Sequence, residues 1–450
     1  MSAPAPAELV ADPSAAARDG IATPLPIASL LATPRFAFLV AGQTISQLGD
    51  KLHHMALIAL VGAGAPASAG GLALAQLSVV FTAPVILAGP LAGALVDRWD
   101  KRRTMIACDA ARTVLVAAIP AAFAATGRLW PVYALAALAF LLGVFFNAAK
   151  MALIPELVPR PGLLAANAAL TGIGRVATVA GIVGGGLLIG LPAWRRLGWS
   201  DYAAGFYLDA ASYLVSVVTL VAIARRRAAT DDAPAPSAGP RGERATLRGA
   251  LRSVVATRHL VHGDPALRFA FASLAVLALF ASTVYVAMTW AVQSTFGRGP
   301  AGVGILGGTL AGGMVAGSLA VGAVGARWAR RTIVLAGTTA IGLLLLVAAA
   351  RFSFEAFLPV AALGGALLAP VMVAQDTLLH EHAPAGQRAV LFASRDLLLG
   401  GVFMTSALAV GGAVQVLGRL GVDQPYRMAL AVVGLVLLAF GAAHARRPAP

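Results

Sequence analysis

Apolar residues run along this chain in long blocks from about Arg35 to Ala445, and polar residues gather between the blocks instead of alternating within them. A helix that crosses ~30 Å of hydrocarbon needs ~20 mostly apolar residues. Twelve blocks reach that length: 36–62, 72–97, 103–126, 130–153, 163–190 and 203–224, then 269–294, 301–326, 330–350, 353–378, 388–417 and 424–445. Gly, Pro and charge clusters mark their limits. Between the two sets, residues 225–268 open with Arg225, Arg226 and Arg227 and continue through DDAPAPSAGPRGER, which reads as a polar linker. The pattern predicts an all-α membrane protein of twelve transmembrane helices in two six-helix bundles, 36–224 and 269–450, with a tail at 1–35.

Composition removes one alternative. Only 12% of the residues are charged, and the mean hydropathy is +0.83. A soluble domain carries about a quarter charged residues, so an ordinary globular enzyme is excluded. The net charge of +15, from 34 Lys and Arg against 19 Asp and Glu, would point to nucleic acid in a soluble protein. Here the placement of the charges decides otherwise. Of the basic residues, 23 fall on the side of the tail and linker, seven on the opposite side, and four inside spans: Lys51, Arg112, Arg175 and Arg395. Cytoplasmic loops carry the basic excess, so both termini are expected in the cytoplasm and the chain in a bacterial cell membrane, with no nucleic-acid partner.

The first 34 residues are rich in Ala and Pro and read as a disordered tail, not a cleaved signal. In the linker, Arg244, Arg248 and Arg252 stand four apart while Leu247, Leu251 and Val255 take another face, the pattern of a basic amphipathic helix on the inner leaflet. Cys108 is the single cysteine, so no internal disulfide or Cys-rich metal site is expected. No HExxH, GxSxG or P-loop motif occurs, and His380-Glu381-His382 is too short a signal for a metal site. The expectation is a protein without enzymatic activity, metal or cofactor.

The polar residues inside the spans carry the candidate chemistry. In the first span Gln43, Ser46, Gln47, Asp50 and His54 recur along one helical face. Ionisable groups in a bilayer are costly and face a cavity or a partner. Asp50 stands 15 residues past Arg35, or ~22 Å along a helix, well inside the membrane. A carboxylate there can load and release a proton as its access to water changes, so Asp50 and His54 are the proton-coupling candidates. Pairing with Lys51 or Arg175 is the competing, structural role. Asn167, Thr171 and Arg175 form a stripe in the fifth span, where Arg175 either binds an anionic group or neutralises Asp50. Gln43, Gln47, Asn147, Asn167, Thr171, Arg175, Met288 and Trp290 are the candidate cavity lining. Asp109 and Arg112, three apart, form a local pair.

The chain also repeats itself. Gly93 to Arg103 (GALVDRWDKRR) after the second span shares its frame with Gly322 to Arg331 (GAVGARWARR) after the eighth, both acids being lost. IPELVPRPGLLAAN after the fourth resembles LHEHAPAGQRAVLF after the tenth. Two matches at equivalent places argue for a duplicated six-helix unit, with pseudo-two-fold symmetry around a central cavity.

The 93–103 run resembles the loop signature of the major facilitator superfamily, Gly-x-x-x-Asp-Arg-x-Gly-x-Arg-Arg, with Asp100 where the signature has Gly. More narrowly, GQTISQLGD (42–50), PLAGALVDRWDKRR (90–103), the 150–167 segment and FYLDAASYLVS (206–216) look like the macrolide-efflux and enterobactin-exporter group of drug:proton antiporters. The resemblance implies a monomeric secondary transporter that exports small lipophilic substrates against protons by alternating access. It also implies a cytoplasmic latch of Gly93, Asp97, Arg98, Arg102 and Arg103. Residues 180–185 read AGIVGG, without the proline of the antiporter signature, which weakens export relative to uptake of a small solute. A non-transporting sensor or scaffold is the reading from another class.

The topology is testable directly. Alkaline phosphatase fused after Ala445 is expected to be inactive and green fluorescent protein at the same place to fluoresce; an active phosphatase there overturns the orientation.

Overall fold

The computed structural model describes residues 27–228 and 257–445, apart from 67, 160, 161, 192, 325, 326, 385 and 386. The expected tail and the basic amphipathic helix of the linker lie outside these residues. Among them are twelve long helices: α1 (Pro34–Gly64), α2 (Gly70–Val96), α3 (Lys101–Thr126), α4 (Leu129–Leu157), α5 (Leu163–Ile189) and α6 (Ala203–Ala228) make one set. The second set is α7 (Pro265–Thr283, continued by wider turns to Thr295), α8 (Gly299–Val324), α9 (Arg330–Ala350), α10 (Phe354–His382), α11 (Arg388–Arg419) and α12 (Pro425–Ala445). No strand occurs among the described residues.

Eleven of the helices are long and apolar enough to cross a membrane. The exception is α1, whose centre holds Gln47, Asp50, Lys51, His53 and His54. Local chemistry sets several of the ends. Asp100 caps α3 by accepting from the Arg103 N–H at 2.8 Å, which gives the departure at this loop position a function. Gly127, at φ 63°, ends the same helix in a left-handed turn open to glycine. Asp264 caps α7 through the Ala266 N–H, with Pro265 in the first turn, and Ser353 caps α10.

The two sets fold alike. In the first, α1 packs on α5 and α6, α3 on α4 and α6, and α2 on α4. In the second, α7 packs on α11 and α12, α9 on α10 and α12, and α8 on α10. Each pair in one half has its counterpart six helices on, as the sequence repeat requires. The halves meet through α2 with α11 and α5 with α8, two pairs that a pseudo-two-fold operation exchanges.

These crossings depend on small residues. A Cβ on Gly186 of α5 would lie 2.7 Å from the Cα of Gly304 on α8, and one on Gly411 of α11 would lie 2.7 Å from the Ala75 Cβ on α2. Both crossings lie toward the end of the molecule away from the 97–103 loop, called here the closed end; the other is the basic end. Trp290, expected as cavity lining, is buried at the closed end with its indole against Gly70 and lines a separate cavity of about 570 Å³ there.

Within the second half, α8 lies backbone to backbone on α10: a side chain at Gly313 would run into the carbonyl of Ala362, whereas one at Gly312 would meet nothing within 4 Å. Gly313→Ala is therefore expected to lower the stability of the detergent-solubilised protein by about 1–3 kcal/mol through overpacking, and Gly312→Ala is not. Thermal melts of the two variants check this, and equal melting temperatures would sink the packing argument.

Candidate functional site

The polar centre of α1 meets α3 and α6 in a charge cluster. Arg112 of α3 donates through Nη2 to Asp50 Oδ1 at 2.6 Å and through Nη1 to Asp109 Oδ1 at 3.3 Å. Tyr213 of α6 donates its hydroxyl to the same Asp50 oxygen at 2.5 Å and accepts from Arg112 Nη2. Its ring lies under the guanidinium, with the Arg112 Cζ 4.0 Å from the ring centroid. Gly143 of α4 faces the guanidinium, where a Cβ would make an ordinary contact at 3.6 Å. Arg112, Asp109 and Tyr213 are buried, while the Asp50 side chain keeps 32% of its surface exposed. Asp50 is thus the member of the cluster through which the outside is reached.

A second rung lies one turn further along α1 and α6. His53 Nδ1 and Asp209 Oδ2 are 3.0 Å apart, both fully enclosed, and the Ser212 hydroxyl donates to Asp209. Gly49 presses on Ser212 and Asp209 with no room for a Cβ. The spacing does this: Asp50 and His53 are three apart on α1, and Asp209 and Tyr213 four apart on α6, so one face of each helix presents two polar groups to the other.

Two cavities lie beside the cluster. The larger, about 830 Å³, is bounded by α1, α4, α5 and α8 and lined by Gln47, Lys150, Asn167, Thr171 and Met314, among others. It lies between the halves toward the basic end. The smaller, about 420 Å³, is lined by His54 and Phe81 of the first half and by Tyr285, Met288 and Phe403 of the second. Gly307 and Leu310 of α8 belong to the walls of both.

Several expected site residues are thus brought together and others are not. Gln47, Asn167 and Thr171 share one cavity, and His54 and Met288 the other. Gln43 is buried at 3% exposure and lines neither. Asn147 is exposed and accepts from Lys150 Nζ at 2.8 Å. The Arg175 side chain lies outside what the structure describes. Among the described residues Asp50 pairs not with Lys51 but with Arg112, which sequence reading confined to a local pair with Asp109. Its i, i+3 spacing gave that local partner; the one 62 residues away left no signal. Tyr213 was missed for the same reason.

In the 93–103 segment, Asp97 is the exposed C-cap of α2 and makes no ion pair among the described residues. Gly93, Arg98 and Arg103 are exposed as well, whereas Arg102 is buried. Lys101 approaches Glu156 of α4 at 3.8 Å. On the second half, Arg395 of α11 bridges to Asp376 of α10 at 2.8 Å and to its neighbour Asp396. No group of three or more metal-ligating side chains is found among the described residues.

Two repeated six-helix units joined face to face, with cavities between them and a buried charge cluster in the first, make the architecture of a multi-pass membrane protein. The sequence profile of the Major Facilitator Superfamily matches residues 25–285, and the chain belongs to that family. It is 30% identical over 187 residues to the uncharacterized MFS-type transporter YfiS of Bacillus subtilis (strain 168), 42% of each chain. To the uncharacterized MFS-type transporter Rv0037c of Mycobacterium tuberculosis (strain ATCC 25618 / H37Rv) it is 29% identical over 195 residues, 43% of this chain and 42% of the other. The matched stretch thus spans about two fifths of these relatives.

The fold is similar over nearly the whole length to solved transporters. For an inward-facing bacterial homologue of ferroportin the TM-score is 0.66 at 15% identity, covering 92% of this chain and 99% of that one. For a bacterial homologue of the human lysosomal transporter Spinster it is 0.65 at 13%, covering 91% and 96%. For the nucleoside transporter NupG it is 0.58 at 11%, covering 88% and 98%.

The cluster makes a stability prediction. Arg112→Gln strands two carboxylates in the membrane, and removing one member of a buried ionic group costs about 3–5 kcal/mol. A large fall in melting temperature is expected, partly recovered by adding Asp109→Asn. A melt unchanged from wild type would show that the cluster carries no such load.

Proposed function

We propose that this transporter exports hydrophobic or amphipathic small molecules, of the kind represented by drugs, macrolides, siderophores or secondary metabolites, by proton antiport and alternating access. The observation that supports it best is the Asp50, Arg112 and Tyr213 contact, a titratable carboxylate with one open side, held by a buried cation in the middle of three helices. Uptake of a small solute is the alternative on the same fold.

In this reading the basic end faces the cytoplasm of a bacterial cell, and the protein works as a monomer. A proton reaching Asp50 neutralises it and loosens its hold on Arg112 and Tyr213. The guanidinium then keeps Asp109 as its anion, and α1 is free to shift against α3 and α6. Because α1 also packs on α5, and α5 crosses α8 at Gly186 and Gly304, that shift reaches the contact between the halves. Residues 36–224 and 269–445 rock as two bodies about the cavities, with 225–268 as the tether. Closure at the Trp290 end, with the larger cavity toward the basic end, fits an inward-facing state, the state of the ferroportin and Spinster homologues. The apolar residues of both cavities fit a lipophilic cargo. Gly93, Asp97, Arg98, Arg102 and Arg103 serve as the latch of the opposite, outward-facing state, which leaves Asp97 unpaired in this one.

Accumulation of a labelled hydrophobic cation and of a labelled macrolide in inverted vesicles, with and without an imposed pH gradient, tests the reading. Wild type is expected to accumulate one or both only with the gradient, and Asp50→Asn to lose the gradient response while still binding. Gradient-driven accumulation that survives in Asp50→Asn removes Asp50 from coupling, and no accumulation of either compound by the wild type overturns export.

A further inference from the structure

The smaller cavity runs deep into the second half. Besides α7, α8, α10 and α11, its walls include Ile341 and Leu344 of α9, a helix with no partner in the first half among the main helix contacts. The first half contributes only His54 and Phe81 to the residues lining it. These two rings are stacked, with centroids 4.3 Å apart at 28°. Facing them is Tyr285, whose ring centroid lies 6.1 Å from His54, 6.5 Å from Phe81 and 5.8 Å from Phe403. Among the described residues no Asp, Glu, Lys or Arg lines this chamber.

Two independent features single out Tyr285. Its hydroxyl is buried and has no hydrogen-bond partner, although nearly all buried polar groups find one. It also sits where α7 departs from regular helix, in a wider turn at Val284–Met288. Such turns have poorer geometry than the α-helix and recur at functional sites. Here the turn brings Tyr285 and Met288 into the same chamber wall.

We infer that this chamber is a binding site for an uncharged, flat aromatic group carrying one hydrogen-bond acceptor, which Tyr285 meets with its hydroxyl. The inference rests on the export reading above and adds one ligand class to it, apart from the bulkier or charged cargo that the larger cavity would take. The aromatic walls supply offset-stacked and edge contacts to a ring system. A charged group would lose its water with no countercharge to replace it, so lipophilic ions are excluded from this chamber. A volume of about 420 Å³ lies at the lower end of the ~300–1,000 Å³ range of small-molecule sites, so the chamber takes a compact ligand. The ligand also touches His54, four residues from Asp50 on α1, and is separated from the larger cavity by Gly307 and Leu310, through which it can pass between the two.

Binding to the full chain in nanodiscs, with no pH gradient, separates this inference from the transport mechanism. The probe is radiolabelled flavone, a flat neutral ketone, competed by unlabelled flavone, by 2-phenylnaphthalene, which lacks the acceptor, and by tetraphenylphosphonium. Wild type is expected to bind flavone saturably, and Tyr285→Phe to bind it about tenfold more weakly, the effect of one lost hydrogen bond at a buried site. The same substitution should leave competition by 2-phenylnaphthalene unchanged, which a misfolded variant could not do. Gly364→Phe grows a ring from a chamber-lining position with nothing within 4 Å of its Cβ and is expected to abolish binding of both. Absence of saturable flavone binding to wild type, equal flavone affinity in Tyr285→Phe, or competition by tetraphenylphosphonium as strong as by flavone overturns the inference. Flavone binding with the expected Tyr285→Phe loss, but without gradient-driven transport, leaves the site standing and sinks the export reading. Gradient-driven transport of flavone with affinity indifferent to Tyr285→Phe does the reverse.

Discussion

A guanidinium inside hydrocarbon has to be surrounded by anions and acceptors, because an uncompensated charge there is too costly to keep. Arg112 meets that requirement with Asp109 on its own helix, Asp50 on α1 and Tyr213 on α6. Three helices of the first half are thereby held in one rotational setting. The His53 and Asp209 pair, one turn on, repeats the constraint between α1 and α6, and Gly49 lets those two helices approach closely enough for both rungs to form. Asp50 and His53, two of the groups that give α1 its low apolarity, are therefore engaged by its neighbours. A helix that looks too polar for a membrane is stable in one because its polar face is turned onto matching groups.

The duplication of the six-helix unit is faithful in packing and unfaithful in chemistry. Equivalent helix pairs form in both halves, because the apolar faces that bring them together have been retained. The buried polar contact of the second half is milder: Gln375 of α10 donates to the Ser273 hydroxyl on α7, and the loop at 322–331 has lost both acids of its counterpart. Charge is concentrated in one half, and the aromatic chamber is hollowed largely into the other. The joint between them is made of glycine and alanine crossings and of Trp290 seated on Gly70. Such crossings hold by close van der Waals contact without locking side chains together, which suits two bodies that must separate at one end and meet at the other.

Helix count and limits were legible in the sequence to within a few residues, since a span is an uninterrupted property of one segment. The site was legible by residue type and only partly by role. Asp50 stood out because a carboxylate at that depth needs a reason, but Arg112 was not read as its partner. Trp290 and Gln43 were read as cavity lining because apolar and polar side chains on an inner span suit a cavity wall. Packing put the first against Gly70 at the wall of a separate cavity at the closed end, and the second into the interior of its bundle. Tyr213 and Tyr285 gave no signal of what they meet, as an aromatic residue in a hydrophobic span looks the same whether it faces lipid, a guanidinium or an empty chamber.

By itself the sequence determined an all-helical membrane protein with a repeated six-helix unit and a one-sided distribution of basic residues. These follow from hydropathy, spacing and charge along the chain, which no distant residue can change. The tertiary structure decided which polar groups meet: Asp50 with Arg112 and Tyr213, His53 with Asp209, His54 with Phe81. Those pairings depend on how each helix is rotated about its axis and where it crosses another, with partners 27 to 163 residues apart in the sequence. Local periodicity says that a helix has a polar face, and only the packed bundle says what that face meets.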